Sequence, residues 1–134
     1  PVSKEWEYIQ NFISLQQLRY DYPLKINLKS SGNLDGINIP PYLLIPFVEN
    51  AFKHGDFTDD AFPLQIILIE SGGQINFRVE NKISKQQKDS YGGIGLENVK
   101  RRLAFIYPNN QQLDINFTEQ TFVIQLVINK NNGN

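Results

Sequence analysis

The chain has 134 residues, 40% of them hydrophobic and 20% charged, with nine Phe and six Tyr. That length suits one core, burying roughly 65–70% of the unfolded surface, and so apolar and aromatic a composition excludes a disordered segment. Thirteen basic against fourteen acidic residues give a formal charge of -1, so no overall basic field points to a nucleic acid partner. The absence of Cys excludes a disulfide framework and a zinc–thiolate site and fits a reducing cytosolic setting, and a lone His excludes a multi-histidine metal centre. The longest aliphatic stretch, Ile66 to Ile69, is far short of the ~20 residues needed to cross a bilayer, and the N-terminus carries no signal-peptide pattern.

The chain opens directly on a helical pattern, Val2 to Tyr22, as a segment of a longer polypeptide would. Within it Trp6, Ile9, Ile13 and Tyr20 fall near one face, with Tyr8, Phe12 and Leu15 as a neighbouring stripe. So broad an apolar arc predicts packing both on its own domain and on something else, a preceding helix being one candidate. Pro23 is expected to end this helix, and Leu24, Ile26 and Leu28 alternate with polar residues as a first strand. Turns are expected at Ser30 to Asn33 and at Asp35-Gly36. Ile39-Pro40-Pro41 sets up a helix from Pro41 to His54, closed by Gly55 in the usual C-terminal role of glycine.

Two strands, Leu64 to Glu70 and Gln74 to Asn81, are predicted to form a hairpin at Gly72-Gly73. A polar loop, Ser84 to Ser90, leads through Gly92, Gly93 and Gly95 into a helix ending at Ile106, with Leu96, Val99, Leu103 and Ile106 facing inward. Leu113 to Thr118 and Phe122 to Ile128 read as a second hairpin, and the Asn-rich end as a frayed terminus. Paired strands separated by helices predict an α+β fold: a two-layer sandwich with a mixed, mostly antiparallel sheet covered by helices on one face.

In the second predicted helix Leu44, Phe47, Val48 and Ala51 stand at i, i+3, i+4 and i+7 and belong to the core. Glu49, Asn50 and Lys53 then point away from it, with His54 at the margin of the polar arc. An Asn carbonyl is a suitable hard ligand for Mg²⁺, a nearby carboxylate can hold a metal-bound water or accept a proton, and a Lys can neutralise phosphate charge. On composition alone the plainer reading is a solvated helix face with a Glu49/Lys53 pair, worth only a few tenths of a kcal/mol. Glycines at 92, 93 and 95 before a helix allow close approach of backbone amides to phosphate, yet such glycines are more often a permissive turn. Arg101 and Arg102, with Lys100, could reach phosphate from the same helix but read more simply as solvent-facing.

The stretch IPPYLLIPFVENAFKHG, Ile39 to Gly55, resembles the N-box of the GHKL ATPase superfamily, in particular that of LytS-like sensor histidine kinases. GIGLENVKRRLAFIYP, Gly93 to Pro108, resembles the glycine box of the same branch, and the first helix is similar to the segment joining histidine-bearing dimerisation helices to the catalytic domain. The resemblance spans nearly the whole chain in the correct order. It implies a Bergerat ATP-binding domain over residues 23–134, with residues 1–22 as the end of a dimerisation or linker helix. ATP and Mg²⁺ are the implied cofactors. Asn50 matches the Mg²⁺ ligand, Glu49 the catalytic acid, and Lys53 and His54 polar positions beside the nucleotide. Gly93, Gly95 and Leu96 match the phosphate side, and Ser84 to Gly92 the ATP lid.

The implied activity is that of a two-component sensor histidine kinase, in which the γ-phosphate passes to a histidine upstream of Pro1 and then to a response regulator. His54, inside the nucleotide helix, is not that acceptor. The parent implied is a homodimer anchored in the bacterial inner membrane, with this domain in the cytoplasm. Two positions depart from the pattern: Asn81 stands where the family has an adenine-reading Asp, and Ile83 where it has a glycine. They leave a second reading open, a GHKL-fold module that has lost nucleotide binding and transmits conformational state to a partner.

Overall fold

The computed structural model describes residues 1–84 and 94–130. In chain order these form α1 (Val2–Gln17), β1 (Ile26–Ser31), a 3₁₀ turn (Leu34–Gly36), α2 (Ile45–His54), β2 (Leu64–Ser71), β3 (Gln74–Lys82), α3 (Ile94–Ile106), β4 (Gln111–Phe117) and β5 (Thr121–Asn129). The expected loop from Ser84 to Ser90 and its glycines at 92 and 93 lie, apart from Ser84, outside the described residues. The strands make one sheet in the order β1-β2-β3-β5-β4. Only β1 and β2 run parallel, Ile26 opposite Leu64, while the remaining pairs are antiparallel. The sheet is therefore mixed and mostly antiparallel, as the alternation of paired strands and helices predicts.

Side-chain parity decides which face of the sheet is covered. Ile66 and Leu68 of β2 lie opposite Val79 and Phe77 of β3, which in turn face Ile124 and Leu126 of β5. All six are buried, and they share one core with Phe47, Val48 and Ala51 of α2 and Leu96, Val99 and Leu103 of α3. The alternate residues of the same strands include Arg78, Glu80 and Gln125, which pair among themselves on the other face, Arg78 Nη2 lying 2.9 Å from Glu80 Oε1. Val2, Trp6 and Ile9 carry the first helix into the same core, while Leu15 and Leu18 near its end are exposed.

Several boundaries differ from expectation, and β1 runs from Ile26 to Ser31, starting after Leu24 and continuing past the turn expected at Ser30. The first helix stops at Gln17 because the side chain of that residue turns back on the following segment. Its amide donates to the Tyr22 carbonyl at 2.8 Å, its oxygen accepts from the Leu24 N–H at 2.8 Å, and the amides of 18–20 bond three residues back. The second helix begins at Ile45 rather than Pro41, so Pro46, not Pro41, occupies its first turn. Gly55 closes it with extended backbone, φ -83°, instead of a left-handed cap; a Cβ there would stand 2.5 Å from the Ala51 carbonyl oxygen, which only glycine avoids. The two hairpins fall where expected, around Gly72-Gly73 and just before Thr121.

Beyond β1 the chain reverses at Gly32, whose φ is +93° and whose Cβ, if present, would lie 2.1 Å from the Glu70 carbonyl oxygen. The Glu70 carboxylate holds this turn to the β2–β3 hairpin, accepting from the amides of Asn33 at 2.8 Å and Gly73 at 3.0 Å. Those amides, Gly73 first, draw the Glu70 carboxyl below its ordinary pKa. Gly32→Ala meets both a positive φ and a backbone clash, so urea unfolding should show a loss of at least ~1–3 kcal/mol, against under ~0.5 kcal/mol for a control change on the exposed surface.

Candidate functional site

The packing of α2 orients the conspicuous residues. Leu44, Phe47, Val48 and Ala51 are buried, which leaves Glu49 and Lys53 exposed, as the helical spacing requires. Asn50 lies between these two environments. It is half-buried, and its Nδ2 is fully enclosed with no hydrogen-bond partner among the described residues. A buried amide left this way costs free energy unless a ligand satisfies it, and oxygen and nitrogen can exchange places by a flip of the side chain. His54 is not at the margin of the polar face: it is 5% exposed, within the packed end of the helix.

Backbone bonds staple this end of the helix to β3. The Asp56 N–H donates to the Lys82 carbonyl at 2.9 Å, the Ser84 N–H to the His54 carbonyl at 3.2 Å, and Gly55 pairs with Ile83 in an antiparallel bridge. Asn81 follows Ile75, Phe77 and Val79 on the inward face of β3 and is 1% exposed, its Nδ2 donating to the Lys82 carbonyl at 2.9 Å. Ile83 is also buried, and its N–H bonds the Gln120 carbonyl at 2.9 Å. The C-terminal end of α2 and the end of β3 thus form one wall containing His54, Asn81 and Ile83, with Asn50 one turn earlier. Gly95 lies in the first turn of α3, and the Leu96 side chain is buried in the core, so only its main chain faces outward chemistry. Gly93 lies outside the described residues.

The N-terminal end of α2 is held by Glu5, which the sequence does not single out for the site, and by Arg102, for which it suggests a different role. No side chain within the helix caps it. Instead Glu5 of α1, 2% exposed, accepts from the Leu44 and Ile45 amides at Oε1, at 2.8 and 3.1 Å, and from the Tyr42 amide at Oε2, at 2.9 Å. From α3, Arg102 donates to the carbonyls of Pro41 at 2.8 Å and Tyr42 at 3.1 Å, so it is neither a phosphate ligand in this arrangement nor a purely solvent-facing residue. One signal was available: Val2, Glu5, Trp6 and Ile9 make an i, i+3, i+4, i+7 set, in which an acid occupies a core position. Buried carboxylates are rarely left without donors.

Beside the wall, Lys82 extends toward the 56–62 segment, its Nζ 2.8 Å from Asp59 and 3.9 Å from Asp56, over the Phe62 ring. The hydrogen bond from Lys82, then the Ala61 amide, holds the Asp59 carboxyl below its ordinary 3.8, whereas Asp56 is lowered chiefly by the Thr58 hydroxyl and amide. Lys82 is raised above 10.5, Asp59 being the main cause. The lowered carboxylates stabilise the docked segment fully above pH 3.8 and lose that contribution as pH falls through their folded values; the raised Lys82 contributes below 10.5 and is lost as pH rises through its own. In Lys82→Gln, an NMR titration of the side-chain carboxyls should find Asp59 returned toward its ordinary value and Asp56 still depressed.

With this geometry established, comparison with known proteins places the fold. The catalytic domain of histidine kinase ThkA superimposes with a TM-score of 0.61 at 14% identity, covering 96% of this chain and 92% of that one. Acinetobacter baumannii histidine kinase AdeS gives the same TM-score at 15% identity over 97% of this chain and 65% of its own. The fold is that of histidine kinase catalytic domains. In sequence the chain is LytS-like: it is 25% identical, over an alignment of 144 residues covering 96% of the chain, to the sensor protein LytS of Oceanobacillus iheyensis. It spans about a quarter of the length of the curated relatives it matches. No family model matches it. No helix among the described residues is long and apolar enough to cross a membrane.

Proposed function

We propose that the chain is the ATP-binding catalytic domain of a sensor histidine kinase, donating the γ-phosphate of ATP to a histidine on a segment outside this sequence. The observation that carries this reading is Asn50, whose enclosed Nδ2 has no partner among the described residues and which sits beside exposed Glu49 and Lys53 on a helix anchored at both ends. Such a site fits Mg²⁺, which keeps several waters and takes few protein oxygens besides substrate phosphates. When bound, the ion neutralises charge on the phosphates and makes the γ-phosphoryl group transferable. Asn50 would hold it through the amide oxygen, Glu49 would orient a metal-bound water or take up a proton, and Lys53 would offset phosphate charge. The first-turn amides at Gly95 and Leu96 would face the phosphates at the positive end of α3, while Gly93 matches the phosphate side by resemblance alone.

The buried wall is suited to the base end. Asn81 would accept a hydrogen bond from the adenine amino group, but without the charge of a carboxylate. His54 is enclosed in the nucleotide helix, and its place there supports an acceptor histidine elsewhere. Residues 1–22 fit the end of the linker helix that would join this domain to such an acceptor, and a response regulator would receive the phosphate afterwards.

Three measurements test the assignment. Supplied with ATP, Mg²⁺ and the helical segment preceding it in its parent, the chain should place acid-labile phosphate on that segment and none on His54. A folded Asn50→Ala variant should lose both the transfer and the Mg²⁺-dependent part of ATP affinity; unchanged affinity would sink the reading. Asn81→Asp should tighten ATP binding by about tenfold at most and GTP binding little: a charge-assisted bond contributes ~1.5–3 kcal/mol and guanine presents an acceptor at that edge, but the carboxylate also loses the bond that Asn81 donates to the Lys82 carbonyl. Equal responses of ATP and GTP would remove Asn81 from base recognition.

A further inference from the structure

We infer that Glu5 and Arg102 are positioning residues for the phosphate end of the nucleotide site, clamping the turn that launches α2 between the first and third helices. The inference rests on the nucleotide reading above. Helix N-termini leave amides without partners, and α2 has no local cap, so its first amides depend on a carboxylate 39 and 40 residues away in sequence. Glu5 also takes the Tyr42 amide, and Arg102 takes the carbonyls of Tyr42 and Pro41. Both main-chain polar groups of Tyr42 are therefore committed, one to α1 and one to α3.

Tyr42 adopts φ 60°, a region that side chains other than glycine rarely occupy without outside support. Its exposed ring stacks on Tyr8 of α1, with centroids 5.2 Å apart and planes at 23°. The turn thus reports the placement of α1 through a carboxylate and a stacked ring, and that of α3 through a guanidinium. At the other end α2 is stapled independently to β3 through His54, Gly55 and Asp56. Asn50 lies between the two anchors, roughly 7.5 Å along the axis from Ile45 at 1.5 Å per residue. Loosening the first anchor lets the start of the helix, and Glu49 and Asn50 with it, move while the wall bearing Asn81 and Ile83 stays in place.

Glu5 and Arg102 therefore control affinity for the metal and phosphates but not for the base. The test compares adenosine, ATP alone and ATP with Mg²⁺ by titration on the 134-residue chain carrying Glu5→Ala, Glu5→Gln or Arg102→Ala. Glu5→Ala should weaken Mg²⁺-ATP about threefold to tenfold by depopulating the competent helix start, while adenosine affinity stays within about twofold. Glu5→Gln should recover part of the loss, since its amide oxygen still accepts from Leu44 and Ile45 but nothing accepts from Tyr42. Arg102→Ala, which removes bonds at an exposed edge and does not threaten folding, should show the same split.

Equal weakening of adenosine and Mg²⁺-ATP overturns the inference by reducing both residues to general scaffolding, as does unchanged binding in Arg102→Ala together with either Glu5 variant. If Glu5→Ala is unfolded, Glu5→Gln and Arg102→Ala decide alone. Nucleotide binding by the wild type with no split in the variants rejects the positioning role and spares the nucleotide reading. A wild type that binds no adenine nucleotide rejects both.

Discussion

A carboxylate removed from water and surrounded by three main-chain amides is the constraint on which the arrangement of helices depends. Glu5 stands where the packing of Val2, Trp6 and Ile9 would otherwise call for an apolar residue, and an ionised group there is tolerated only with donors around it. Those donors exist because the chain reaches α2 through a turn without a capping side chain. Each side supplies what the other lacks: the helix gains an acceptor at its positive end, and the carboxylate gains hydrogen bonds of the charge-assisted kind. Truncation of Glu5 therefore leaves these amides without their acceptor, which makes the first helix an integral support of the fold.

The core followed from the residue pattern more fully than did the ends of the elements. Alternation in β2, β3 and β5 and the Leu44, Phe47, Val48, Ala51 set in α2 assign the buried face because burial of apolar side chains follows backbone period. Helix ends depend on hydrogen-bond partners that sequence spacing does not reveal. Gln17 ends α1 by bonding to residues five and seven positions ahead, and Glu5 starts α2 from much farther away. The same limit applies at the candidate site. The outward direction of Glu49 and Lys53 is a property of helical period, and so is the inward direction of His54, at i+7 from Phe47, while the backbone staple to the end of β3 that closes over its turn is tertiary. Arg102 looked like a solvated cation because nothing local marks the two carbonyls it binds.

Asn81 and Asn50 are both enclosed amides, but their surroundings differ. Asn81 has its nitrogen committed to the next residue's carbonyl, so its direction is set by the protein, whereas Asn50 carries a nitrogen that no described residue receives. On the proposed reading, the side that would take the base has an amide whose nitrogen is already held by the protein, and the side that would take the phosphates has an amide nitrogen with no partner among the described residues.

The parallel pairing of β1 with β2 bears on the order in which the chain assembles. β2 and β3 meet across a tight turn and β4 and β5 across another, so these contacts close short loops. By contrast, Ile26 meets Leu64 only after the intervening segment has folded back, and Glu5 meets Leu44 over a comparable span. Long loops lose more chain entropy before any contact compensates, so hairpins form early and α1, β1 and α2 join late. Among these late-joining elements, α2 carries Glu49, Asn50 and Lys53. A ligand gripping those residues would act as a kinetic latch on the N-terminal third, protecting its amides from exchange while leaving the hairpin strands almost unaffected.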